Sequence, residues 1–127
     1  GGTMRLGAYS AVLGKGVVRD VYEEVGVFER DSSNRFVVSE RHRHRFEVNP
    51  EYKELFEREG MRVCGKFLER DLVEFIELDK GLHPYFVATQ AHPELKSKLE
   101  RPAPLFYGLI KAAIEKRRDM EAVKISV

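Results

Sequence analysis

The stretch from Arg35 to Gly60 most restricts what this chain can become. Its first part, RFVVSERHRHRFEV, places β-branched and aromatic residues around alternating charges, the pattern of an extended strand. Its second part, NPEYKELFEREG, reads as a helix. Asn49 is the N-cap, Pro50 takes the first helical position, where no N–H is needed, and Glu51 and Glu54 lie near the positive end. Tyr52, Leu55 and Phe56 form an apolar stripe, and Gly60 can take a left-handed stop. A chain that changes period so abruptly has to combine strand and helix in one domain.

The rest of the chain continues the mixture. TMRLGAYSAVLG is a Gly-punctuated strand or loop. GVVRDVYEEVG spaces Val17, Val18, Val21, Tyr22 and Val25 as a helical face between two glycines. Asp31, Ser32, Ser33 and Asn34 cluster as a loop, and this is where disorder or an insertion is expected. MRVCGKF and LVEFIEL read as strands joined by LERD, and YFVATQ is a short apolar strand after the break at His83-Pro84. In RPAPLFYGLIKAAIEKRR, Leu105, Phe106, Leu109, Ile110, Ala113 and Ile114 recur at helical spacing. A helix over 102–118 with a core stripe follows, its Lys/Arg run complementing the dipole at its end and DMEAVKISV trailing as a loose tail. The class is α/β with an antiparallel hairpin portion.

Composition removes several functions. The 127 residues suit one domain, and 43% hydrophobic content supports a core. A net charge of +1 argues against nucleic acid or a membrane surface as partner. One cysteine permits no internal disulfide and fits a reducing cytoplasm. No apolar run reaches the length of a membrane span, and no signal peptide is visible. Met stands at position 4, so the opening reads as the middle of a protein or as a tag remnant.

Two segments carry candidate chemistry. His92 and Glu94 stand two positions apart just after YFVATQ. A strand end puts such residues on one side, where the carboxylate can fix the imidazole tautomer and leave the other ring nitrogen to take a proton from a nucleophile. Spacing alone favours the blander alternative, a surface His beside a surface Glu, because H-x-E is short and common. In RHRHR, Arg41, Arg43 and Arg45 share one strand face and His42 and His44 the other. A basic strand could bind nucleic-acid backbone, but Glu40 and Glu47 flank it and no aromatic platform interleaves it. His42, His44 and His83 lack a further ligand cluster to complete a metal set.

ATQAHPELKS resembles the triad segment of class I glutamine amidotransferases. The opening GGTMRLGAY, the central SERHRHRFEVNP and the closing RPAPLFYGLIKAA are similar, in order, to the glutaminase domain of the CTP synthase family. The resemblance implies a class I glutaminase (flavodoxin-like) sheet, of which residues 1–127 form an incomplete C-terminal portion. In that family a cysteine thioester releases ammonia from glutamine, and a synthetase domain uses it to convert UTP to CTP with ATP and Mg2+, with GTP as activator. On matching positions His92 is the general base and acid, Glu94 orients it, Arg45 belongs to the glutamine pocket, and Arg5 is linked to activation and the domain interface. The family is cytoplasmic and forms homotetramers mainly through the synthetase domain.

The family's nucleophile sits in a G-x-C-x-G turn that aims backbone N–H groups at the oxyanion. This chain has no such pattern, and the family's cysteine falls upstream of Gly1. Cys64, in RVCGK, reads as a small buried core residue. The expectation is therefore a C-terminal portion of a glutaminase domain, lacking the half with the nucleophile elbow, inactive alone and carrying no cofactor of its own. It should depend on the missing half to cover an exposed sheet edge and an apolar face. The alternative is a non-catalytic binding or regulatory module that keeps a degenerate amidotransferase half-fold.

Overall fold

The computed structural model describes residues 3–126. Gly1 and Gly2, the start of the opening motif, lie outside the described residues, as does Val127. The elements run β1 (Arg5–Leu13), α1 (Val17–Val25), β2 (Glu29–Arg30), β3 (Phe36–His44), α2 (Lys53–Arg58), β4 (Met61–Phe67), β5 (Leu72–Leu78), β6 (Val87–Thr89) and α3 (Pro104–Ser126). Single 3-10 turns stand at Pro50–Tyr52, Leu68–Arg70 and Pro93–Leu95.

All six strands form one sheet in the order β2-β3-β1-β4-β5-β6, and every pairing among the described residues is antiparallel. The expected α/β class with its β4–β5 hairpin is present. β1 and β3 run side by side from Arg5 opposite His44 to Val12 opposite Val37. In β3 the alternation read from the sequence holds, with Phe36, Val38, Glu40 and His42 buried and Arg41 and Arg43 exposed. A slip of one residue would turn all of these over, so the burial of Phe36 and Val38 fixes the register of the charges as well.

The apolar core lies between the sheet and α1. Val18, Val21 and Tyr22 pack with Ala11, Leu13, Phe36, Val38, Phe75 and Leu105. The first turn of α1 has no side-chain cap of its own. Glu77 of β5, fully buried, accepts the Val18 N–H at 2.8 Å and the Arg62 guanidinium at 2.6 Å. A carboxylate there satisfies an orphan donor and faces the positive helix end. Gly16 makes room for it, since a Cβ at that position would fall 1.8 Å from Glu77 Oε1. Gly108 lets α3 approach in the same way, because a Cβ would lie 2.7 Å from Val21 and 2.6 Å from the Tyr85 hydroxyl.

Several expectations need correction. The apolar stripe of α3 is mostly uncovered: Leu105 is buried, but Leu109, Ile110 and Ile114 are 51, 61 and 45% exposed. Periodicity defines an apolar face, and only a partner element can bury it. The helix also continues to Ser126, so Lys116, Arg117 and Arg118 lie inside it and the supposed tail is helical. Neither Gly nor Pro interrupts 109–126, and Arg117 pairs with Glu121 at 3.0 Å one turn on. In 50–58 the cap is as read, with Asn49 Oδ1 accepting the Glu51 N–H at 3.1 Å, but the first turn is 3-10 and neither Tyr52 nor Leu55 is buried. Residues 31–34 form a hydrogen-bonded turn. Asp31 Oδ1 accepts the N–H groups of Ser33 and Arg35, both at 2.9 Å. No described helix is long and apolar enough to cross a membrane.

Candidate active site

The segment after β6 carries the predicted pair. Its first backbone bond, Gln90 N–H to the Glu74 carbonyl at 3.2 Å, keeps it beside β5. Its second, His92 N–H to the Arg41 carbonyl at 2.8 Å, ties it to β3. The chain then turns into 3-10 geometry, with Pro93 in the first position, and Lys96 Nζ donates to the Ser39 carbonyl at 2.6 Å. Three contacts along seven residues thus seat 90–96 against β5 and β3.

His92 Nδ1 stands 2.7 Å from Glu94 Oε1, with the side chains 35 and 55% exposed. The pairing expected from the sequence is present, though by a different route. β6 ends at Thr89, so the 3-10 turn, not strand alternation, brings the two together. The His92 hydrogen bond, then the residue's own backbone N–H, hold the Glu94 carboxyl below its ordinary range, and Arg43 adds to this. With Nδ1 committed to the carboxylate, Nε2 is the nitrogen left to exchange a proton with a reacting group.

Arg45 lies just past the end of β3, exposed, with no ion pair or hydrogen bond among the described residues. The structure does not bring it into contact with His92 or Glu94. Arg5 is turned inward and 2% exposed. Its Nη1 donates to Glu74 Oε1 at 2.5 Å and to Glu47 Oε1 at 3.2 Å, and its guanidinium lies over the rings of Tyr9 and Phe67 at 4.4 and 5.0 Å. Cys64 is buried in β4, where burial and then Glu77 push the thiol pKa up, away from the thiolate a nucleophile needs. Among the described residues no three His, Cys, Asp or Glu side chains are arranged to hold a metal.

Sequence reading missed the polar cluster behind the pair. His42 Nε2 lies 3.3 Å from Glu74 Oε2, and His44 Nε2 lies 3.1 Å from Glu47 Oε1. With its side-chain amide nitrogen turned toward its acceptors, Gln90 donates to Glu47 Oε2 at 3.2 Å and to the Phe46 carbonyl at 3.3 Å. Burial, then Arg5, depress the His42 pKa to about 4. Burial raises that of Glu74, against the pull of Arg5. The clue was available: Glu40 and His42 share the alternation of Phe36 and Val38, so a correct strand assignment places them inside.

This arrangement of a turn-borne His–Glu pair on an antiparallel sheet has a family. The model of the class-I glutamine amidotransferases matches residues 1–112, and the chain belongs to that family. Within it, the chain is similar to the CTP synthases. It is 48% identical over 118 residues to that of Methanococcus aeolicus, covering 92% of this chain and 20% of the relative. It is 50% identical over 117 residues to that of Methanococcus maripaludis, covering 91% and 20%. It is 49% identical over 119 residues to that of Streptomyces coelicolor, covering 92% and 20%. The chain therefore spans about a fifth of the length of the curated relatives it matches. Among solved structures, the Trypanosoma brucei CTPS glutaminase domain with bound acivicin superposes with a TM-score of 0.72 at 29% identity, over 89% of this chain and 40% of that one.

Proposed function

We propose that residues 1–127 are the C-terminal portion of a CTP synthase glutaminase domain and supply the base, its orienting carboxylate and part of the glutamine pocket. The observation that carries this reading is the 2.7 Å contact between His92 and Glu94 at the start of the 3-10 turn. The nucleophile is a cysteine from outside these residues. His92 Nε2 takes its proton, the thiolate attacks the glutamine carboxamide carbon, and the imidazolium protonates the departing nitrogen, releasing ammonia and leaving a thioester. Water then attacks the thioester with His92 again as base, and glutamate and the cysteine are released. Glu94 keeps the ring in the tautomer that presents Nε2 and stabilises the imidazolium in both halves. Arg45, exposed and unpaired, receives the α-carboxylate of glutamine. The ammonia serves amination of UTP to CTP, with ATP and Mg2+ bound elsewhere in the protein and GTP stimulating the glutaminase; the similarity to CTP synthases supports this assignment. Arg5 takes part in activation through its buried contacts.

The test starts with the intact mass of the source protein under denaturing conditions, read against 14.7 kDa. Glutamine hydrolysis is then measured with and without GTP. The intact protein should be active and GTP-stimulated, and His92→Ala should lower kcat by about 10²- to 10⁴-fold, the usual contribution of a general base. The 127 residues alone should release no ammonia. Turnover by the isolated chain, or full activity of His92→Ala, would sink the reading.

A further inference from the structure

Arg45 poses a physical problem. The β1–β3 ladder ends at His44, opposite Arg5, and the next regular turn begins at Pro50. Residues 45–49 therefore cross open surface without ladder bonds, and a side chain whose own group is unpaired can be no better placed than the backbone beneath it. Two side chains hold that backbone. Glu47 Oε1 receives Arg5 at 3.2 Å and lies 3.1 Å from His44 Nε2, while Glu47 Oε2 receives the Gln90 amide at 3.2 Å. Gln90 also reaches the Phe46 carbonyl, the peptide next to Arg45, at 3.3 Å. Gln90 is in turn two residues from His92, and its own N–H is fixed on Glu74.

Building on the glutaminase reading, we propose that Glu47 is a positioning residue that locks the Arg45-bearing turn onto the His92-bearing segment, setting the gap between the substrate carboxylate and the reacting carbon. With its nitrogen turned toward its acceptors, the Gln90 amide joins the two segments directly, facing the Glu47 carboxylate, the Phe46 carbonyl and, at 2.9 Å, His44 Nε2. Small displacements matter here, since substrate and base have to meet within near-attack distance. Loosening the turn moves Arg45 while leaving His92 tied to Arg41 through its backbone. The effect belongs in KM for glutamine more than in kcat.

The experiment is a double-mutant cycle on glutamine hydrolysis by the intact enzyme: Glu47→Ala, Gln90→Ala and the pair, with Arg45→Ala and His92→Ala alongside. Each single variant at 47 and 90 should raise KM about 5- to 20-fold with kcat within about threefold, and the pair should be no worse than the poorer single variant. Glu47→Gln, which keeps the shape, should raise KM by about threefold and fold even if Glu47→Ala does not. A purely architectural Glu47 would lower the melting temperature and the active fraction but leave KM within about twofold of the parent, and that result overturns the proposal. Multiplying KM effects in the double variant overturn it too, because Gln90 would then act independently. If Arg45→Ala and His92→Ala leave hydrolysis unchanged, the glutaminase reading falls, and its failure is separately visible from that of Glu47.

Discussion

The chain contains two histidine–glutamate contacts of opposite character. His92 and Glu94 are two positions apart in sequence, half exposed and 2.7 Å apart. His42 and Glu74 come from separate strands, are 3 and 1% exposed, and lie 3.3 Å apart. In the first, hydrogen bonding dominates and holds the Glu94 carboxyl down. In the second, loss of water dominates: His42 is driven toward its neutral form and the Glu74 carboxyl is pushed up. Identical residue types thus give one pair that water reaches and another that is sealed from it. Solvent access decides which way the neighbours push each carboxyl, and the residue types alone do not.

The sharpest way to break this comparison is to remove the carboxylate from each pair. Glu74→Ala strands Arg5, and beside it His42, in the interior with one charged partner fewer. Loss of one member of a buried ion pair costs about 3 to 5 kcal/mol, read from urea unfolding midpoints. Glu94→Ala removes an exposed, solvent-screened partner and should leave the same curve almost unmoved. Equal losses at both positions would mean that burial does not separate the pairs.

A functional contrast follows in the same order of size. Glu94→Gln keeps the side-chain shape but removes the charge that stabilises the imidazolium, so kcat for glutamine hydrolysis in the intact enzyme should fall about 10- to 100-fold with KM little changed. His42→Gln, inside the buried pair, should leave kcat within about threefold of the parent. A larger loss at His42 than at Glu94 would reverse the roles assigned to the two contacts.

Much of this molecule was legible before the structure. The β4–β5 hairpin appears at the residues where MRVCGKF and LVEFIEL were read, because turn chemistry and β-branched runs are local properties. The α1 face was equally local, with Val17, Val18, Val21 and Tyr22 all buried. The stripe of α3 had the same periodicity but stays largely open, since cover depends on elements that a single helix does not encode. The polar cluster was illegible for another reason. Arg5, His42, Glu47, Glu74 and Gln90 are scattered over 86 positions, and only strand pairing collects them. The His–Glu pair sat between these cases: its residues were plain, but the turn that joins them was mistaken for a strand end.

The smallest expected effect sharpens the comparison through pH. His42 has an ordinary pKa of 6.5, which it regains in the unfolded chain, and about 4 when folded. Below pH 6.5 the unfolded chain binds a proton there that the folded one refuses. Stability contributed by the neutral, buried ring is therefore complete above pH 6.5 and is lost progressively as pH falls toward 4. Glu74 works in the opposite direction, because its raised folded pKa lets the native state take its proton first on acidification. The two slopes oppose each other in the parent protein, so the histidine term is isolated by difference. His42→Gln, which cannot titrate, should lose less stability than the parent between pH 6.5 and 4, measured from urea midpoints at each pH. Parallel curves for His42→Gln and the parent would show that the buried ring takes up its proton as readily as in the unfolded chain, and burial would then not set the protonation of this pair.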